Sequence, residues 1–491
     1  MRQSAKKHSL PLSLDGKPAR HKFRGIPRRL RRQFSIDPRK RQPKGTPTLG
    51  DRLRRVFWSW WLWALLGIVL ALFERWGWAI GAGVMAFITH LIAPRESAPQ
   101  YGLDHEYSLN SDEFCSSIVG ATGVPYLKGN RLEIFNNGDE FYPVMLEAIE
   151  EANHSITVEA YIYWAGETGQ KFAQALAEKS RQGVKVKLLL DAIGSSGIGE
   201  DILRTLKAGE CQIAWFNPIR WYSLGRFNNR THRKSLIIDG HVAFTGGAGI
   251  ADHWWGHAQD PDHWRDIQIR MEGPAVLPLQ TGFAQNWLET TGELVSGFEF
   301  YPPPREVGSV ELQTILSSPE TGASSVRIMY YFGIVCSRRL IYIANPYFVP
   351  DRAAIDTLIE AKKRGVDVKI MVAGIYNDNQ LVRRSATQLY GKLLEGGVEV
   401  YEYNRTMLHH KIMVVDGIWA TVGTTNFDNR SFAHNEENNV CFFDPPSVQK
   451  LRTTFEADLH QCERVTLEEW RRRGVWAKTQ ELLASMLQEQ M

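Results

Sequence analysis

The sequence predicts an α/β protein in which one structural unit occurs twice, behind an N-terminal membrane hairpin. Three observations carry this reading. Strand and helix patterns alternate through residues 155–191 and return in the same order at 340–369, a rhythm that gives a mostly parallel sheet flanked by helices. The pattern His232-x-Lys234-x4-Asp239-Gly240 recurs as His409-x-Lys411-x4-Asp416-Gly417. Ahead of both, residues 57–93 are almost entirely apolar.

Residues 1–56 hold 18 Lys/Arg against Asp15, Asp37 and Asp51, a net of +15, and the rest of the chain nets −11. Rich in Arg, Lys and Pro and poor in apolar residues, the arm is expected to be disordered. Arg52, Arg54 and Arg55 abut the apolar stretch, where basic residues set topology and attract anionic lipid.

Within 57–93 the interruptions are Ser59, Glu74-Arg75 and Thr89-His90, with tryptophans at the ends of both halves. Phe57–Phe73 and Trp76–Ala93 are each near the shortest length that spans a bilayer. Two short spans with a turn at Glu74-Arg75 are the expected arrangement, with a single tilted span or a re-entrant hairpin as alternatives. Two crossings keep the arm and the large body together on the cytoplasmic side. Nothing here has the form of a cleaved signal peptide.

A polar linker leads to a first lobe at 103–305. Its expected elements are a helix at 139–152, a strand at 155–163, a helix at 169–181 stopped by Gly183, and a strand at 184–191. The second lobe, 324–465, repeats them as a strand at 340–348, a helix at 353–363 and the turn Lys363-Arg364-Gly365-Val366, which matches Arg181-Gln182-Gly183-Val184. From the glycine of that turn to the motif histidine is 49 residues in the first copy and 44 in the second. Similar elements at similar spacing mean an internal duplication, with its boundary between Tyr301 and about Ser324. Asp266 and Glu437 fall in matching places, each eight residues before a proline. A charged amphipathic helix is expected over 466–491. Five scattered cysteines without a CxxC pair suggest neither a disulfide framework nor a zinc site.

The candidate catalytic set is His232, Lys234, Asp239, His409, Lys411 and Asp416. A lone His-x-Lys is ordinarily a solvated strand end; repetition in register is what raises it above that. Two like halves pair about a pseudo-twofold axis, which brings both His/Lys pairs into one cleft. That arrangement suits phosphodiester exchange without a metal or other cofactor. One imidazole attacks phosphorus while the other protonates the departing alcohol and deprotonates the incoming one. The lysines, with Thr424, Asn426 and Ser431, are candidates to hold the phosphate oxygens. Asp266 and Glu437 are candidates to orient the imidazoles. Asp239 and Asp416, each followed by glycine, read first as turn formers.

The two His-x-Lys-x4-Asp motifs, Gly423-Thr424-Thr425-Asn426 with Asp428 and Arg430-Ser431, Pro346–Pro350 and Glu272–Val276 together resemble the phospholipase D superfamily in its bacterial cardiolipin synthase type. The resemblance covers about Gly129 to Cys462. It implies two tandem α/β/α sandwich lobes, a covalent phosphatidyl-histidine formed on His232 with His409 as acid/base, and phosphatidylglycerol as substrate in a bacterial inner membrane. One position departs from the pattern: Gly249 stands where the first copy should carry the counterpart of Asn426.

The expected function is transfer from one phosphatidylglycerol to another, giving cardiolipin and glycerol. Water as acceptor would make the same site a hydrolase releasing phosphatidic acid. A nuclease is disfavoured by the acidic body, since a polyanion groove is basic. An inactive membrane adaptor is disfavoured by two complete motifs. The number of copies in the assembly is not legible in the sequence.

Overall fold

The computed structural model describes residue 56 and residues 59–92, 107–218, 229–319 and 325–485. The basic arm through Arg55, the linker after the apolar segment and the last residues of the C-terminal tail lie outside them.

Sixteen strands among the described residues share one sheet. The first lobe supplies β1 (Leu127–Asn136), β2 (Ser155–Ala160), β3 (Lys185–Asp191), β4 (Gln212–Phe216), β5 (Arg230–Thr231), β6 (Ser235–Ile238), β7 (Val242–Gly246) and β8 (Ile267–Glu272). The second supplies β9 (Val310–Ser317), β10 (Leu340–Ala344), β11 (Asp367–Ala373), β12 (Glu399–Tyr403), β13 (Lys411–Val415), β14 (Trp419–Gly423), β15 (Asn435–Phe442) and β16 (Cys462–Val465). At the centre β1 and β9 pair antiparallel. Outward on one side run β8, β7, β6, β2, β3 and β4, and on the other their equivalents β15, β14, β13, β10, β11 and β12, with β16 at the edge. That order is the duplication expressed as a pseudo-twofold between β1 and β9.

The sheet is mixed, not mostly parallel as the sequence rhythm suggested. Only β2, β3 and β4, and likewise β10, β11 and β12, run parallel along the main ladder. These strands are joined by helices, as parallel neighbours must be. The motif strands β6 and β13 instead turn straight back into β7 and β14. Asp239-Gly240 and Asp416-Gly417 all have positive φ, the requirement of a tight hairpin turn.

Each turn aspartate does a second job. Asp239 accepts from the backbone N–H groups of Asn153, His154 and Ser155 at 2.7–2.9 Å, fastening the start of β2. Asp416 accepts from Arg338, Arg339 and Leu340 at 2.7–3.1 Å, fastening the start of β10. Both therefore sit at the far end of the motif strand from its lysine. Their inclusion in the catalytic set is corrected: they are structural.

Among the described residues fourteen α-helices occur; the first two pack on each other, and the rest pack on the sheet or on other helices. They are α1 (Trp60–Leu72), α2 (Trp76–Ile92), α3 (Asp112–Thr122), α4 (Asn137–Glu151), α5 (Glu167–Arg181), α6 (Glu200–Ala208), α7 (Val276–Thr291), α8 (Ser325–Val335), α9 (Arg352–Lys363), α10 (Gln380–Glu395), α11 (Asn429–Ala433), α12 (Pro445–Leu459), α13 (Leu467–Arg472) and α14 (Val475–Ser485). One core, with Phe141, Val158, Leu176 and Leu188, belongs to the first lobe, and another, with Met329, Val368 and Leu393, to the second, where it is joined by Leu109, Phe114 and Ile118 from the start of the first. A third draws Leu132, Met271 and Leu279 from the first lobe and Leu408, Val414 and Phe455 from the second. Burial of each such side chain stabilises the fold by roughly 1.5–3 kcal/mol, so the shared core resists separation of the lobes.

The expected turn at Glu74-Arg75 is present: α1 ends at Leu72, Glu74 has φ +57°, and α2 begins at Trp76. Of the described residues, no helix is long and apolar enough to cross a membrane. The tail breaks at Arg473-Gly474 into α13 and α14 rather than forming one helix. Trp470 of α13 anchors it by donating from Nε1 to the Thr387 carbonyl of α10.

Asp416→Ala leaves three backbone donors without their carboxylate and is expected to cost about 3 kcal/mol of stability. Denaturant unfolding of the solubilised chain measures it. Asp416→Asn, which keeps one acceptor oxygen, should lose less.

Candidate active site

Both motifs enter the site on backbone supplied by the opposite lobe. The two-residue strand β5 pairs parallel with β15, Arg230 opposite Asn435 and Thr231 opposite Glu436. His232 follows directly and donates its backbone N–H to the Glu436 carbonyl at 2.9 Å. In the other half Arg265 forms a bridge with Leu408, and the His409 N–H donates to the Arg265 carbonyl at 2.8 Å. Each histidine is thereby fixed one residue away from the other lobe's acid.

The acids consequently cross over. His232 Nδ1 lies 3.0–3.1 Å from the carboxylate of Glu437, and His409 Nδ1 lies 2.8 Å from Asp266 Oδ2. The sequence placed a carboxylate behind each imidazole, and the structure agrees, but each comes from the partner copy. A carboxylate at Nδ1 selects the tautomer with its proton there and leaves the Nε2 lone pair free. Glu437 is steadied by the Thr424 hydroxyl at 2.5 Å. Asp266 is steadied by Trp254 Nε1 and the Ile267 N–H, each at 2.8 Å.

Lys234 and Lys411 meet in this buried space. Lys234 Nζ donates to the His232 carbonyl at 2.9 Å. Lys411 Nζ stands 3.1–3.2 Å from the ring nitrogens of His409 and also donates to the His409 carbonyl. Burial pushes Lys234 down to about 7, with the charge of Lys411 adding to the effect, and burial pushes Lys411 down to about 8. Burial likewise lowers His232 to about 4, over the opposing pull of Glu437, and takes His409 well below the ordinary histidine range, helped by both lysines. At neutral pH the site therefore presents two neutral imidazoles beside two mutually repelling amines. An entering phosphate anion relieves that repulsion.

Of the three residues assigned to phosphate oxygens, Thr424 is committed to Glu437 and so supports His232 instead. Asn426 Oδ1 is buried and has no hydrogen-bond partner among the described residues, as expected of a group that waits for a polar ligand, and the buried Ser431 hydroxyl lies beside the Asp428 carboxylate. Asp428 caps α11 by accepting from the Ser431 N–H. The bare position Gly249 has a steric reason. A Cβ there would lie 2.7 Å from the Ile162 carbonyl oxygen, 3.0 Å from Ile162 Cβ and 3.1 Å from Trp254, so Ile162 first, and then the tryptophan that steadies Asp266, close off the room an asparagine would need.

Several rings border the histidines; Tyr347 lies in the Pro346–Pro350 segment already singled out, whereas Tyr161, Trp254 and Trp264 were given no role from sequence. The Tyr161 ring stands 5.1 Å from that of His232 and Tyr347 6.5 Å from His409. Trp254 and Trp264 each lie 5.3 Å from His409. Tyr161 and Tyr347 both follow the carboxyl ends of equivalent parallel strands, β2 and β10, a place where α/β proteins collect site residues. That signal was available. Arg233, paired with Glu436 at 2.6 Å, also ties the halves together.

With this geometry in hand, comparison with known proteins is direct. Residues 145–266 and 334–459 match the family described as cardiolipin synthase, PLD-like domain. The chain is 34% identical over 366 residues to a cardiolipin synthase of Geobacillus kaustophilus (strain HTA426), covering 74% of this chain and 73% of the relative. It is 32% identical over 381 residues to a probable cardiolipin synthase of Bacillus subtilis (strain 168), covering 77% and 75%. The crystal structure of a phosphatidylserine synthase from Haemophilus influenzae Rd KW20 superposes with a TM-score of 0.57 at 13% identity, covering 77% of this chain and all of that one; the likeness is one of fold. Two matched segments, each holding one His/Lys motif, and relatives covered over most of their length lead to one conclusion: the chain belongs to the phospholipase D-like family of cardiolipin synthase type.

Proposed function

We propose that this chain is a membrane-bound phosphatidyltransferase that converts two phosphatidylglycerols into cardiolipin and glycerol. The observation that carries the mechanism is the crossed pair of His–carboxylate contacts, which sets two neutral imidazoles and two amines in one site. His232 Nε2 attacks phosphorus, and the bond to the glycerol oxygen breaks as that oxygen takes a proton from His409. His409 then removes the proton from a hydroxyl of the second lipid's glycerol. That oxygen attacks phosphorus, and the phosphorus–nitrogen pair returns to His232. Burial and then the lysine charges keep the free His409 neutral; arrival of the phosphate anion offsets those charges, so that His409 takes a proton from solvent onto Nε2 and holds it for the first step.

The assignment of His232 as nucleophile draws support from the carboxylates. Glu437 is held below the usual range by His232, Lys234 and Thr424 despite burial, whereas burial raises Asp266. A firmly ionised Glu437 suits the histidine that must bear charge while bonded to phosphorus. Lys234, Lys411, Asn426 and Ser431 are the groups we assign to the phosphate oxygens. His232 and His409 are only 7% and 4% exposed, a shielding that favours a lipid alcohol over bulk water as acceptor.

We further assign α1 and α2 to the bilayer. No residue of α1 is buried, and a helix apolar all round belongs in an apolar medium. Thirteen residues give about 20 Å, against roughly 30 Å of hydrocarbon, which favours a re-entrant or bilayer-thinning hairpin. Either form returns the chain to the side of the basic arm, the cytoplasmic face of a bacterial inner membrane.

Purified full-length chain given phosphatidylglycerol vesicles is expected to yield cardiolipin and glycerol; phosphatidic acid alone would make it a hydrolase. His232→Ala should lower turnover by at least about a thousandfold, and acid quenching should trap labelled phosphatidyl on His232 in the wild type. Trapping on His409 would reverse the two roles. Because the acids cross, Glu437→Gln should slow formation of the phosphohistidine and the first release of glycerol by about 100-fold, while Asp266→Asn should slow both steps without a burst, since His409 gives the proton in one and takes it in the other. Sulfate, which keeps its charge across this range, should inhibit best below pH 7. Its affinity should fall about tenfold per pH unit above that, as Lys234 loses its proton, and Lys234→Met should flatten the profile.

A further inference from the structure

Five apolar side chains are exposed on the loops and helix start that lead out of the site, and both lobes contribute. Trp164, Ile193, Ile375, Tyr376 and Leu381 are between 36% and 55% exposed. Ile193 follows the carboxyl end of β3, two residues beyond Asp191, whose carboxylate accepts from the N–H of Thr231 beside His232. Ile375 follows the carboxyl end of β11 at the pseudo-equivalent position. It opens the segment that ends at Asp378, which accepts from the Tyr347 hydroxyl and faces Lys411. The Trp164 ring packs edge-on against His253, itself in tilted contact with Trp254 and Trp264, and Trp164 Nε1 donates to the Gly194 carbonyl at 2.7 Å, so that it flanks Ile193. The two loops are thus anchored, through Asp191 and Asp378, to the surroundings of His232 and Lys411.

We propose that this collar is an interfacial docking surface that seats the catalytic mouth on the bilayer. The inference rests on the phosphatidyltransferase reading, which requires lipids with two acyl chains to present their phosphates to a buried site without leaving the membrane. An anchor near the N-terminus keeps the body close to the bilayer but does not orient its mouth. Charge does not orient it favourably either, since residues 57–491 net −11 and an anionic surface repels them. Apolar and aromatic side chains, with a tryptophan and a tyrosine suited to the headgroup depth, supply the attraction instead. Exposed apolar groups at the far ends of the strands provide the comparison. Phe298, 77% exposed, neighbours Glu299, which pairs with Lys185 at the start of β3, about 20 Å along that strand from Asp191.

The test uses the full chain in phosphatidylglycerol vesicles. Ile193→Glu/Ile375→Glu should lower turnover of bilayer lipid at least about tenfold while turnover of monomeric dihexanoyl phosphatidylglycerol stays within about twofold. Ile193→Leu/Ile375→Leu and Phe298→Glu should leave both unchanged. An equal fall on both substrates, or no fall on the bilayer, overturns the proposal. A second readout does not require catalysis. In a Cys115→Ser/Cys462→Ser background, a nitroxide on Tyr376→Cys should show apolar immersion when vesicles are present, and one on Phe298→Cys should remain aqueous. An aqueous label at 376 overturns the docking surface. Immersion at 376 in a chain that yields no cardiolipin would leave the surface standing and remove the transferase reading.

Discussion

Two backbone hydrogen bonds, His232 N–H to the Glu436 carbonyl and His409 N–H to the Arg265 carbonyl, organise the site. Each ties a motif histidine to the residue that immediately precedes the opposite lobe's acid. Once they form, the carboxylates of Glu437 and Asp266 lie behind the imidazoles, the tautomers are set, and the lysines two residues on are carried inward. Neither lobe can assemble either half-site alone. The ion pair of Arg233 with Glu436, and that of Arg265 with Asp458, reinforce the same seam, so the polar interface and the shared apolar core close together.

The halves are not interchangeable. His232 is surrounded by polar groups: Glu437 with Thr424 behind it, and buried Asp191 and Glu159 bonded to Thr231 alongside. His409 is surrounded by rings, with Trp254, Trp264 and Tyr347 close by. The difference follows from single positions. Where the second copy has Thr424 and Asn426, the first has Gly247 and Gly249, and the freed volume is taken by Asp266, Ile162 and Trp254. A polar surround for His232 and an aromatic one for His409 accord with the roles we propose for them.

The duplication, the two His/Lys pairs and the identity of the two acids were legible because each is a chemical pattern repeated in register. Which acid serves which histidine was not, since the crossing depends on β5, two residues long, and on the bridge at Arg265, both too short to leave a periodic trace. The antiparallel course of β6 and β13 was equally hidden. Apolar runs look alike in either direction, and only the Asp-Gly turns, read correctly as turns, announced the hairpins. Thr424 was assigned to phosphate by residue type, whereas its partner was decided by a strand from the same lobe carrying Glu437 within reach.

The crossing has a consequence for biosynthesis. A nascent chain emerging from the ribosome displays His232 and Lys234 long before Glu437 and the β15 strand exist. Until residue 437 has been made and β15 has paired with β5, His232 has neither its carboxylate nor its backbone anchor. The first lobe is thus made inert, and His232 gains both partners only once residue 437 has been added, with 54 of the 491 residues still to come.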